Sequence, residues 1–77
     1  MNPRFPVANA RQVIAALRRA GFKVDRISGS HHMMVHATDP KLAVTVPFHG
    51  ARNIKPGTLH SIIRLSGLTV DEFRKLL

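Results

Sequence analysis

A chain of 77 residues has room for one domain with a thin core, because short chains bury a smaller share of their surface than long ones. It has no cysteine, which excludes disulfides and thiolate-bound zinc, and its 44% apolar content is too high for a disordered tail. Twelve Lys and Arg against four Asp and Glu give a net charge of +8, a positive field that attracts polyanions, nucleic acid first and an acidic protein second.

No apolar run reaches the length of a membrane span, and the N-terminus lacks a signal-peptide hydrophobic stretch. The expectation is a cytoplasmic protein without membrane contact. Residues 1–8 contain Pro3 and Pro6, which resist helix, and read as an extended lead-in. Asn9 is a good N-cap, and Gln12 three residues on completes a capping box. Val13, Ile14, Leu17 and Ala20 then fall at helical spacing, with Gly21 as the stop. Arg11, Arg18 and Arg19 lie elsewhere around this helix, where a solvated face and phosphate contact both remain open.

Phe22 to Ser28 reads as a strand, with Phe22 and Val24 alternating until Ile27 breaks the pattern. Ser28-Gly29-Ser30 is a turn, and a second strand runs from about His32 to Ala37, closed by Thr38-Asp39-Pro40. Leu42 to Pro47 is the third strand, and two tight connections make a three-stranded antiparallel meander. Phe48 to Lys55 is a basic loop holding His49, Gly50, Arg52 and Lys55. Pro56 suits a first helical turn; Leu59, Ile62, Ile63 and Ser66 form the inner face of that helix, and Gly67 ends it. Thr69-Val70-Asp71-Glu72 is a capping box opening a short last helix with Phe73, Leu76 and Leu77. The order is α-β-β-β-α with a short C-terminal helix, an α+β domain in two layers spanning residues 1–77.

Period-two geometry divides the second strand into two faces. Met33, Val35 and Ala37 share the face assigned here to the core; His32, Met34 and His36 share the face expected to stand open. His31 has core-face parity but sits at the turn, where alternation need not hold, so its direction is left open.

Histidine matters because imidazole titrates close to neutral pH and can take or give a proton. RNA carries its own nucleophile, the 2′-hydroxyl beside each phosphate. A chain with histidines, many cations and few carboxylates suits metal-free transesterification better than two-metal hydrolysis. Plainer readings stand beside this one. A surface histidine is commonly just a polar residue. His32 and His36 share a strand face and could bind a metal, but no cysteine or nearby carboxylate supports them, so no metal or other cofactor is expected. Met33 and Met34 read as packing residues, and Ser30 lacks the base pattern of a hydrolase nucleophile.

In their order and spacing these residues resemble the HicA (YcfA-like) family, small RNA-cleaving toxins of bacterial toxin–antitoxin pairs. The likeness runs from Ala20-Gly21-Phe22 through the Gly29-Ser30-His31-His32 turn to Val44-Thr45-Val46-Pro47 with His49. It continues through Lys55-Pro56-Gly57-Thr58-Leu59, Ile62-Ile63, Gly67-Leu68 and Glu72-Phe73. The resemblance implies a double-stranded-RNA-binding-domain-like fold. It also implies an mRNA endoribonuclease, the toxin of a type II pair, with the histidine of the Gly-Ser-His motif, here His31, as the catalytic residue. Gly29 would shape the turn, and a HicB-like antitoxin would cover the active face. His32 is the second catalytic candidate. Gly29 and Ser30 of the turn, with Arg26, Arg52 and Lys55 near predicted turns at the sheet's edge, are the expected RNA-binding positions. The alternatives are a non-catalytic RNA-binding module and a basic adaptor for an acidic protein.

Overall fold

The computed structural model describes residues 5–77, so the part of the lead-in with Pro3 lies outside the described residues. Helix α1 (Ala10–Arg19) is followed by strands β1 (Phe22–Ser28), β2 (His31–His36) and β3 (Ala43–Pro47), then by helices α2 (Pro56–Leu65) and α3 (Val70–Leu76). The three strands form one antiparallel sheet in the order β1-β2-β3. This is the α-β-β-β-α order expected from the sequence, with the short last helix added.

Local chemistry sets the helix ends. Asn9 Oδ1 accepts the Gln12 N–H and Gln12 Oε1 accepts the Asn9 N–H, each at 2.9 Å, so two amides that a helix start leaves unpaired are satisfied reciprocally. Thr69 and Glu72 repeat the device at α3. Pro56 sits in the first turn of α2, where its missing N–H costs nothing, but no side chain caps that helix.

The core lies between the helices and one face of the sheet. Val13 and Leu17 from α1, Leu59, Ile62 and Ile63 from α2 and Phe73 from α3 meet Phe22, Met34, Val44 and Val46 from the strands. Fully burying a side chain of this size stabilises by about 1.5–3 kcal/mol before conformational entropy is set against it. Arg19 ties the first helix to the last by donating from Nη1 to the Leu76 carbonyl at 2.6 Å.

The sheet corrects the face assignment of β2. Met34 is completely buried and pairs with Val24 on one side and Val44 on the other. The core face of β2 is therefore His32, Met34 and His36, and the open face is His31, Met33 and Val35. The expectation inverted the two, because Met33, Val35 and Ala37 looked the more apolar set. β2 begins at His31 rather than at His32, so alternation already holds at the turn. The break at Ile27 also has a cause: the register shifts between Val24 and Arg26, so Asp25 is the extra residue of a β-bulge. Beyond it, Ile27 pairs with His32 and is exposed.

Candidate functional site

His31 opens β2 directly after the turn. Ser28 and His31 pair across a two-residue loop, Gly29-Ser30, in which only Gly29 has a positive φ, +57°. That pattern is a type II′ hairpin turn, whose first loop position favours glycine. Ser28, His31 and Pro47 thus stand in a row across the open face, one from each strand. The His31 side chain is exposed.

The turn is tied to the loop after β3. The Phe48 N–H donates to the Ser30 carbonyl at 2.6 Å, which fixes the start of the Phe48–Lys55 loop to the residue before His31. The far end of the loop is held to the lead-in: Asn53 bridges Asn9, and the Ile54 N–H donates to the Ala8 carbonyl at 2.9 Å. Between these anchors lies a cavity of about 340 Å³. Pro47 and Ile54 supply its apolar wall, Arg52 and Lys55 its cations, and His49, Asn53 and Thr58 its remaining polar groups. None of the lining residues is acidic. Arg52 and Lys55 are therefore brought together, and Pro47 links them to His31.

Arg26 belongs to a different patch. It pairs with Met33 on the open face, two residues and about 7 Å along β2 from His31, and its Nη2 donates to the Met33 sulfur at 3.2 Å. Lys23 continues the same face opposite Val35.

The other two strand histidines are built into the packing. His32 lies on the core side with its ring stacked on Phe48, centroids 4.9 Å apart. Its Nδ1 is buried, with no hydrogen-bonding partner among the described residues. His36 packs edge-on against Phe22 at 5.1 Å. The Thr38 and Asp39 N–H groups both donate to His36 Nδ1 at 3.2 Å, so the ring proton sits on Nε2 and donates to the Ala20 carbonyl at 3.1 Å. His36 thereby closes the C-terminal end of α1. With both nitrogens engaged there, it is not free to share a metal with His32, and among the described residues no three His, Asp or Glu side chains cluster as a metal site.

Asn53 was not singled out by sequence reasoning, and His49 and Thr58 were noted only in the basic loop and in the motifs of the family resemblance, without a role. The available signal was the position of Thr58 in the first turn of a helix that starts Lys-Pro-Gly, next to a loop dense in cations.

The molecule is thus a small, basic α+β domain with a histidine on the open end of its sheet and a cationic hollow beside it. Its family follows from a direct match: the model for the HicA toxin of bacterial toxin-antitoxin covers residues 10–68. The chain belongs to the HicA toxin family, and with that comes the role of toxin in a toxin–antitoxin pair and a cognate antitoxin as partner. No curated protein matches the chain. No helix among the described residues is long and apolar enough to cross a membrane.

Proposed function

We propose that this HicA toxin is a cytoplasmic, metal-independent endoribonuclease that cleaves mRNA, with His31 as its proton-moving residue. The observation that carries the reading is the exposure of His31 at the junction of the turn, Pro47 and the cationic loop. In the reaction the RNA 2′-oxygen bonds to phosphorus and the bond from phosphorus to the 5′-oxygen breaks. A 2′,3′-cyclic phosphate and a 5′-hydroxyl end result. One proton leaves the 2′-hydroxyl and one is gained by the departing 5′-oxygen, and His31 carries one of these transfers. Arg26 on the open face, and Arg52 and Lys55 beyond Pro47, offset phosphate charge on either side. Gly29 and Ser30 shape the turn against the RNA backbone. His32 supports this geometry from behind through its stack on Phe48, which makes it a positioning residue. The antitoxin, HicB-like and acidic on its contact surface, covers this same basic face and blocks RNA.

The test is cleavage of a labelled mRNA in EDTA by the wild type, His31→Ala and His32→Ala, with circular dichroism and RNA binding measured on each. His31→Ala is expected to be folded, to bind RNA and to be inactive, while His32→Ala retains part of the activity. An active His31→Ala would remove His31 from the chemistry. A wild type that binds mRNA but never cuts it would make the protein a binding module. A wild type that ignores RNA and binds only an acidic partner would make it an adaptor.

A further inference from the structure

The reading above needs a phosphate at His31, but the adjoining cavity is larger than a phosphate. Its volume of about 340 Å³ lies at the small end of the range for pockets that take a whole small molecule. Its walls are divided in a way a bare anion would not require. Arg52 and Lys55 offer charge, Pro47 and Ile54 offer an apolar surface, and Asn53, Thr58 and His49 offer directional hydrogen bonding. The four acidic residues of the chain, Asp25, Asp39, Asp71 and Glu72, are all absent from the lining.

We propose that this cavity is a single-nucleotide subsite. It holds the RNA nucleotide next to the one cleaved at His31, with the phosphate on Arg52 and Lys55 and the base against Pro47 and Ile54. The inference rests on the nuclease reading and adds to it the group that selects the neighbouring base. Direction is set by the register: Pro47 is the cross-strand partner of His31 on one side and lines the cavity on the other, so a strand lying across His31 continues into the hollow. Rigidity comes from the anchors. The Phe48–Ser30 hydrogen bond, the Asn9–Asn53 bridge and the Ile54–Ala8 hydrogen bond hold the loop at both ends, so little ordering is left for RNA binding to impose. The Asn53 amide can donate and accept at once, which suits the edge of a base better than a phosphate. The contacts made here are the same in substrate and transition state, so the subsite acts on binding.

The experiment uses the full chain and two probes: a cleavable single-stranded RNA and its fully 2′-O-methylated copy, which binds but lacks the nucleophile. For Arg52→Gln/Lys55→Gln we expect KM to rise about tenfold with kcat within about twofold. The salt slope of binding should fall by about 0.7, for the one phosphate on a single strand that is no longer neutralised. Asn53→Ala should narrow the differences in kcat/KM among RNAs varied at the one base beside the cut. Backbone amide shifts of Asn53 and Thr58 should move on adding the methylated RNA. A fall in kcat with unchanged KM, or amide shifts confined to other elements, would overturn the subsite even in an active nuclease. Displacement of these shifts by an acidic peptide, with no response to RNA, would overturn it in favour of a protein partner. If nothing is cleaved but the methylated RNA still moves these amides, and the double variant abolishes the effect, the subsite stands and the nuclease reading fails.

Discussion

The two ends of β2 carry the same residue type in opposite settings. At its start, His31 lies on the open face between Ser28 and Pro47, next to a turn and a cationic hollow. At its end, His36 lies on the core face, packed on Phe22 and hydrogen-bonded through both ring nitrogens. The same imidazole is left free to meet a ligand in one place and serves as a polar plug for a helix end in the other. The difference is one of parity: His31 and His36 are five positions apart, an odd number, so the pleat sends them to opposite faces.

The largest effect should come from the open end. His31→Ala is expected to lower cleavage by about 100- to 10,000-fold, the usual contribution of a positioned acid or base, with a thermal midpoint close to wild type. At the other end, His36→Ala should reverse that outcome. Denaturant unfolding should show a loss of about 1–2 kcal/mol, from the emptied volume against Phe22 and the lost hydrogen bonds to Ala20, Thr38 and Asp39, with cleavage per folded molecule changed little. Exchanged outcomes for these two variants would mean that the face assignment is wrong.

Glycines sharpen the contrast. A Cβ at Gly21, where φ is +98°, would lie 2.8 Å from His36 Nε2, whereas a Cβ at Gly29 would meet nothing within 4 Å. Gly21→Ala should therefore cost about 2–3 kcal/mol, from strain and displaced packing together. In a His36→Ala background that cost should shrink toward the strain alone, a coupling a double-mutant cycle reads directly. Gly29→Ala should cost only about 1–2 kcal/mol, from its positive φ. The smallest effect is at Arg26. Arg26→Gln should flatten the salt dependence of RNA binding by about 0.7, one phosphate contact, and leave stability near wild type.

Much of the fold was legible along the chain. Both capping boxes, the Pro56 helix start, the Gly-Ser turn and the meander depend on residues a few positions apart, and short-range chemistry reports them. The faces of β2 were not legible, because Met33, Met34, Val35 and Ala37 make both sides of that strand apolar and a shift of one residue exchanges them. The neighbours carried the missing information. Val44 and Val46 point inward on β3, and register with β3 sends Met34 inward too, but the connection between β2 and β3, Ala37–Leu42, is longer than the tight turn expected, and its register cannot be read from the sequence.

For the site, the sequence by itself determined which residues could do chemistry: a turn ending in His31, and a loop rich in cations including Arg52 and Lys55. Tertiary structure decided how they are used. Pairing across three strands left His31 in the open and turned His32 onto Phe48, and anchors at Ser30, Ala8 and Asn9 folded the loop into a hollow beside Pro47. Composition and local spacing set what a segment can do, but which side of a sheet meets solvent is a property of the partners it packs against.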